Sequence, residues 1–148
     1  MAALLLVACD GSVYYDESRS VNEHGWKPEE SLVFDVDVDD TIHFFNLLMG
    51  VRNSVNYPYS NTFLFVNTTF PDGSVAHDTL ECPLADASGR WYGKRVGRYV
   101  DSRYRLRGQA ARFPMGGAYR FEVVNGMRDS AISGLKDISL RIEYSKTR

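Results

Sequence analysis

The chain has 148 residues, 44% of them hydrophobic and 24% charged, with a formal net charge of −2. That length supports one domain able to bury about two-thirds of its unfolded surface. The negative balance argues against nucleic acid as a partner, and no stretch holds the roughly 18 consecutive apolar residues that cross a bilayer as a helix.

The first feature along the chain is Leu6-Val7-Ala8-Cys9, which ends an apolar run and has the form of a bacterial lipobox. In that motif a diacylglycerol is attached to the cysteine thiol, and cleavage then makes the cysteine the first residue. Residues 1–8 read as the remnant of a lipoprotein signal peptide, shorter than the usual ~15–30 residues. Cys9 is the lipidation site in this reading. Residues 9–30, polar and broken by Gly11, Gly25 and Pro28, read as a lipidated N-terminus and an extended arm. The domain proper is expected over residues 31–148.

From there the hydrophobic pattern has period two, the mark of strands with one core face and one wet face. Leu32, Phe34, Val36 and Val38 alternate with Val33, Asp35 and Asp37. Ile42–Asn53 is a long apolar strand. Thr62–Phe70 and Val75–Leu80 flank the turn signal Pro71-Asp72-Gly73 and predict a hairpin. Arg98–Phe113 alternates Tyr104 and Leu106 with Arg103, Arg105 and Arg107. Tyr119, Phe121 and Val123 follow Gly116-Gly117, and Ile138, Leu140, Ile142 and Tyr144 close the series. The pattern predicts an all-β fold: an antiparallel two-sheet β-sandwich of about eight strands, jelly-roll-like.

Charge is unevenly spread. Residues 1–90 sum to −10 and residues 91–148 to +8. Either the two parts neutralise each other within the fold, or a basic face meets lipid headgroups or an acidic partner. Asp35, Asp37, Asp39 and Asp40 project in parallel from a strand, which suits a solvated face better than a converging cation site. Arg103, Arg105 and Arg107 form a complementary stripe that could lie against them.

No catalytic constellation stands out. His24, His43 and His77 have no metal-ligand spacing, and no nucleophile elbow or phosphate-cradling loop is present. With Cys9 lipidated, Cys82 has no disulfide partner and reads as a small buried hydrophobe. No metal, cofactor or catalytic residue is expected. The segment Arg52–Asn61 is the best candidate for recognition, because loops on a rigid sandwich concentrate binding residues. Arg52, Asn53, Tyr57, Tyr59 and Asn61 are of the types that interfaces favour. They define an expected docking surface, although the same tyrosines could instead cap the sandwich end. Trp91-Tyr92 reads as a plug of the core.

An ordered set of short segments carries a family resemblance. It runs from Tyr14-Tyr15-Asp16-Glu17 and Gly25-Trp26 through Asn46-Leu47, Val51-Arg52-Asn53 and Tyr57-Pro58-Tyr59-Ser60-Asn61. It continues with Phe70-Pro71-Asp72-Gly73, Asp78-Thr79-Leu80, Ala85-Asp86, Gly89-Arg90-Trp91, Phe113-Pro114, Gly117-Ala118-Tyr119, Met127-Arg128 and Leu140-Arg141-Ile142. In this order the chain resembles the gliding motility-associated lipoprotein GldH family of Bacteroidota. The resemblance implies a membrane-anchored, non-enzymatic envelope lipoprotein. Its expected partners are other gliding-type lipoproteins or secretion components, with the membrane reached through the N-terminal lipid. The family supplies no catalytic or ligand residues to carry over. A carbohydrate-binding sandwich is the alternative, and it would need two or three exposed aromatics on one face. A hydrolase would need a carboxylate pair in a deep cleft.

Overall fold

A computed structural model describes residues 12–146, and among them it contains nine strands and no helix. The strands are β1 Val13–Ser20, β2 Leu32–Val38, β3 Phe45–Ser54, β4 Asn61–Thr69, β5 Val75–Pro83, β6 Lys94–Val96, β7 Tyr99–Arg105, β8 Gly117–Asn125 and β9 Leu135–Tyr144. The lipobox and Cys9 lie outside the described residues.

The pairings are nested. β1 pairs with β9, β2 with β8, β3 with β7 and β4 with β5, all antiparallel. A long ribbon doubled back in this way and rolled up gives two sheets, ordered β1-β9-β3-β7-β6 and β2-β8-β4-β5. This is the jelly-roll arrangement, with the short β6 added at one edge. Strands run between two ends of the sandwich. One end holds Val13, Phe45, Thr69 and Tyr144, and the other holds Ser20, Ser54, Asn61 and Leu135.

Alternation places one face of each sheet in a shared core. Phe34, Met49, Leu64, Val66, Val123, Leu140 and Ile142 are fully buried there, with Tyr119, Phe121 and Phe45 nearly so. Each large apolar side chain taken wholly out of water contributes about 1.5–3 kcal/mol, so the inner faces dominate the stability.

The expected arm is corrected. Residues 13–20 form an edge strand whose register with β9 runs from Val13↔Glu143 to Ser20↔Asp137. Its strand character is hidden because Arg19 stands where an apolar inward residue would. Arg19 lays its guanidinium over the Phe34 ring at 4.9 Å and donates from Nε to the Val33 carbonyl at 3.2 Å. The following stretch also returns to the body. Trp26 is 1% exposed, bridges Ile132 and donates its indole N–H to the Glu30 carbonyl at 2.7 Å.

The two charged stripes do not face each other, a second correction. Asp35 lies opposite Arg120 across β2 and β8 and pairs with it at 3.0 Å. Arg103 and Arg105 belong to the other sheet, and Arg107 follows them in the crossing segment, where it reaches Asp78 at 3.8 Å. Arg98–Phe113 is also not one strand: β7 stops at Arg105, and the chain crosses to the other sheet over residues 106–116.

Candidate docking surface and its surroundings

β3 carries Arg52 and Asn53, a short loop covers residues 55–60, and β4 opens with Asn61. Strand alternation sends Arg52 outward and Asn53 inward. The loop closes tightly, with Tyr57 N–H donating to the Ser54 carbonyl at 3.0 Å and Asn56 N–H to Ser54 Oγ at 3.1 Å. Pro58, with its fixed φ, then starts a bend over residues 58–60 that carries the chain to β4.

The five expected docking residues part into three places. Tyr57 is 5% exposed; its hydroxyl donates to the Asn61 carbonyl at 2.9 Å, and burial pushes its pKa up to about 12. Gly134, at φ +94, lies beneath it, where an added Cβ would meet the Tyr57 Cα at 3.0 Å. Asn53 is fully buried and donates to the Ser54 carbonyl at 2.9 Å, while its Oδ1 finds no partner. Asn53 and Tyr57 are therefore core residues and cannot offer a contact face. That part of the expectation is corrected.

Tyr59 and Asn61 stay at the surface of the same sandwich end. Tyr59 is 39% exposed, packs edge-on against Tyr57 at 5.9 Å, and donates its hydroxyl to Asp129. That carboxylate raises the Tyr59 pKa. Asn61 donates from Nδ2 to Glu81 Oε1 at 3.3 Å.

Arg52 lies on the outer face of the five-stranded sheet. Its guanidinium forks onto Asp101, with Nε–Oδ1 2.6 Å and Nη2–Oδ2 2.9 Å, and reaches Asp137 at 3.8 Å. The pairing raises the Arg52 pKa and holds Asp101 below the ordinary carboxylate value. Two rows along the sheet, Arg141 bridges Asp16 at 2.9 Å and Glu143 at 3.0 Å. Between these charged rows Ser18, Ser139 and Gly50 leave a shallow trough of about 340 Å³. Gly50 is required there because Ser139 Oγ occupies the space a Cβ would need. No local motif reveals this lattice, since its residues come from four separate strands.

The opposite end, where β1 begins, is aromatic. Tyr14, Phe45, Phe113, Tyr119 and Phe70 form a string of ring contacts at 5.0, 5.3, 5.1 and 5.4 Å. Beside this string a cleft of about 260 Å³ opens between the sheets.

Two of the three histidines each have a single polar partner. His43 Nδ1 meets Asp40 at 2.7 Å, and His77 Nδ1 meets Asn67 Oδ1 at 2.6 Å. Cys82 is free, fully buried, and its thiol is pushed up to about 12 by burial. Among the described residues no group of three or more His, Cys, Asp or Glu side chains could hold a metal ion. Exposed aromatic rings are found at Tyr59, Phe65 and Tyr92, on three different elements. Trp91 packs against the core as expected, whereas Tyr92 is 63% exposed.

Comparison with known proteins matches residues 13–142 to the GldH lipoprotein family model. The gliding motility lipoprotein GldH homolog of Christiangramia forsetii is 30% identical over 96% of this chain and 90% of its own length. The gliding motility lipoprotein GldH of Flavobacterium johnsoniae is 31% identical over 97% of this chain and 92% of its own. Among solved structures, the Yersinia pseudotuberculosis-derived mitogen is similar at a TM-score of 0.38 and 9% identity over 90% of this chain and 87% of its own, too distant to argue from.

Proposed function

The chain belongs to the GldH lipoprotein family, and from that premise we propose that it is a membrane-anchored, non-enzymatic component of the cell envelope. It serves gliding motility or the linked secretion machinery through contacts with other envelope lipoproteins or secretion components. The anchor in this reading is a lipid on Cys9, on either the periplasmic or the surface side. Both relatives are named as gliding motility lipoproteins.

One observation carries the reading. Residue 13, where the chain arrives from Cys9, is at one end of the sandwich, and Tyr59 and Asn61 are at the other. Strands of eight to ten residues separate the ends, about 30 Å at 3.3 Å per residue. A lipid at one end thus holds the recognition end off the membrane. The docking surface is Tyr59 and Asn61 with their acidic partners Asp129 and Glu81, and Arg52 borders it on the outer sheet face. Tyr59→Ala with Asn61→Ala should abolish co-purification with envelope partners while leaving the melting temperature near wild type. Cys9→Ser should release the chain from the membrane fraction. Retained partners in the stable double variant, or membrane retention of the serine variant, would refute the corresponding part.

A further inference from the structure

A cleft of about 260 Å³, open to solvent on one side, lies between the two sheets. The cleft opens at the end where β1 begins, beside the aromatic string. Its walls are apolar and come from both sheets: Leu47 of β3, Leu106 just beyond β7, Phe70 beyond β4 and Phe121 of β8. The crossing segment 106–116 covers it, tied down by Leu106 N–H to the Leu47 carbonyl at 2.8 Å and by paired bonds between Ala111 and Phe45 at 2.9 and 3.0 Å. The crossing is thus braced, and it leaves the cleft unfilled.

Charge at the cleft has one sign. The charged side chains lining it are Arg107 and Arg112. Arg112 is exposed and held by stacking on the Phe44 ring at 4.6 Å, which fixes a cation there without neutralising it. Arg107 is half-exposed and only distantly offset by Asp78, at 3.8 Å. Ligand sites are typically apolar concavities of roughly 300–1,000 Å³ with a few placed polar groups. This cleft, at about 260 Å³, is just below that range, a size suited to one flexible chain.

We propose that the cleft binds a single acyl chain ending in an anionic group, a carboxylate or phosphate, with the chain against Leu47, Leu106 and Phe121 and the head group on Arg112 and Arg107. Desolvated methylene groups supply the affinity, and the guanidinium pair sets the sign of the head group. A free fatty acid and an anionic phospholipid share this chemistry.

Isothermal titration of the full chain carrying Cys9→Ser, which removes the lipid anchor, with decanoate, decanol and decyltrimethylammonium tests the site, alongside flotation of the same chain with phosphatidylglycerol vesicles. Decanoate should bind saturably at one site and decyltrimethylammonium at least about tenfold more weakly. Ala111→Trp, at an exposed position lining the cleft, should abolish binding without lowering the melting temperature. Arg112→Glu should weaken decanoate about tenfold or more and leave decanol unchanged. Loss of decanoate binding in Ala111→Trp with vesicle flotation unchanged assigns the chain to a free acid, and loss of both assigns it to a membrane lipid. The proposal fails if neither probe binds saturably, if Ala111→Trp binds as wild type, or if the cationic amphiphile binds as well as decanoate.

Discussion

Arg52 and Asp101 stand directly opposite each other on β3 and β7, and their side chains meet as a two-bonded fork at 2.6 and 2.9 Å. Both are partly exposed, at 43% and 40%, so water screens the pair and its net worth is about 0.2–1 kcal/mol. Arg52→Ala should therefore lower stability by less than about 1 kcal/mol. Asp101 has a depressed native pKa, so its contribution is present above the ordinary value of 3.8 and is lost as pH falls through the native value. Urea titrations at pH 7 and pH 3 should show the variant's deficit shrinking in acid.

The core prediction is sharper. Phe34 and Leu140 are both fully buried, one on each sheet. Phe34→Ala should cost about 3–5 kcal/mol and Leu140→Ala about 2–5 kcal/mol. Denaturant midpoints that stay at wild type in both variants would contradict the two-sheet core.

Adjacent tyrosines should behave oppositely. Tyr57→Ala empties a buried site and should destabilise by about 3–5 kcal/mol, as aromatic truncations do. Tyr59→Ala removes a surface ring and should change stability by about 0.5 kcal/mol or less. Chemical denaturation of the two single variants separates a core cap from a contact residue.

Glycine 134 adds a backbone test. Its φ of +94 is costly for any residue with a Cβ, and that Cβ would press on Tyr57. Gly134→Ala should destabilise by more than about 1 kcal/mol, read as a lower melting temperature.

Alkaline titration probes two buried acids together. Tyr57 is raised from 10.0 and Cys82 from 9.0, both to about 12. A raised native value means full stabilisation below the unfolded pKa and its loss as pH rises towards about 12. Stability should fall progressively above about pH 9. At pH 8 an alkylating reagent should modify Cys82 only after unfolding.

Strands with strict alternation, such as β2 and β9, were legible because an apolar face is a direct record of burial. The hairpin β4–β5 was legible through Pro71-Asp72-Gly73. β1 was not, because Arg19 does with its stacked guanidinium what an aliphatic side chain would do. β6 escaped because three exposed residues carry no period. At the docking segment, residue type marked the right end of the sandwich but did not separate Tyr57 from Tyr59. Only the fold decides which of two neighbouring rings turns inward.

The β1–β9 ladder has a mechanical consequence. Tension applied at residue 13 and resisted at the far end of the sandwich runs along β1, parallel to the strand. The ladder from Val13↔Glu143 to Ser20↔Asp137 is then loaded in shear. Its hydrogen bonds share the force and must yield together, instead of opening one after another as in a peeled hairpin. The flanking Asp16–Arg141 pair bridges the same two strands and adds a side-chain tie across the seam. A domain built this way can sustain a pull between its two ends without its first strand unzipping.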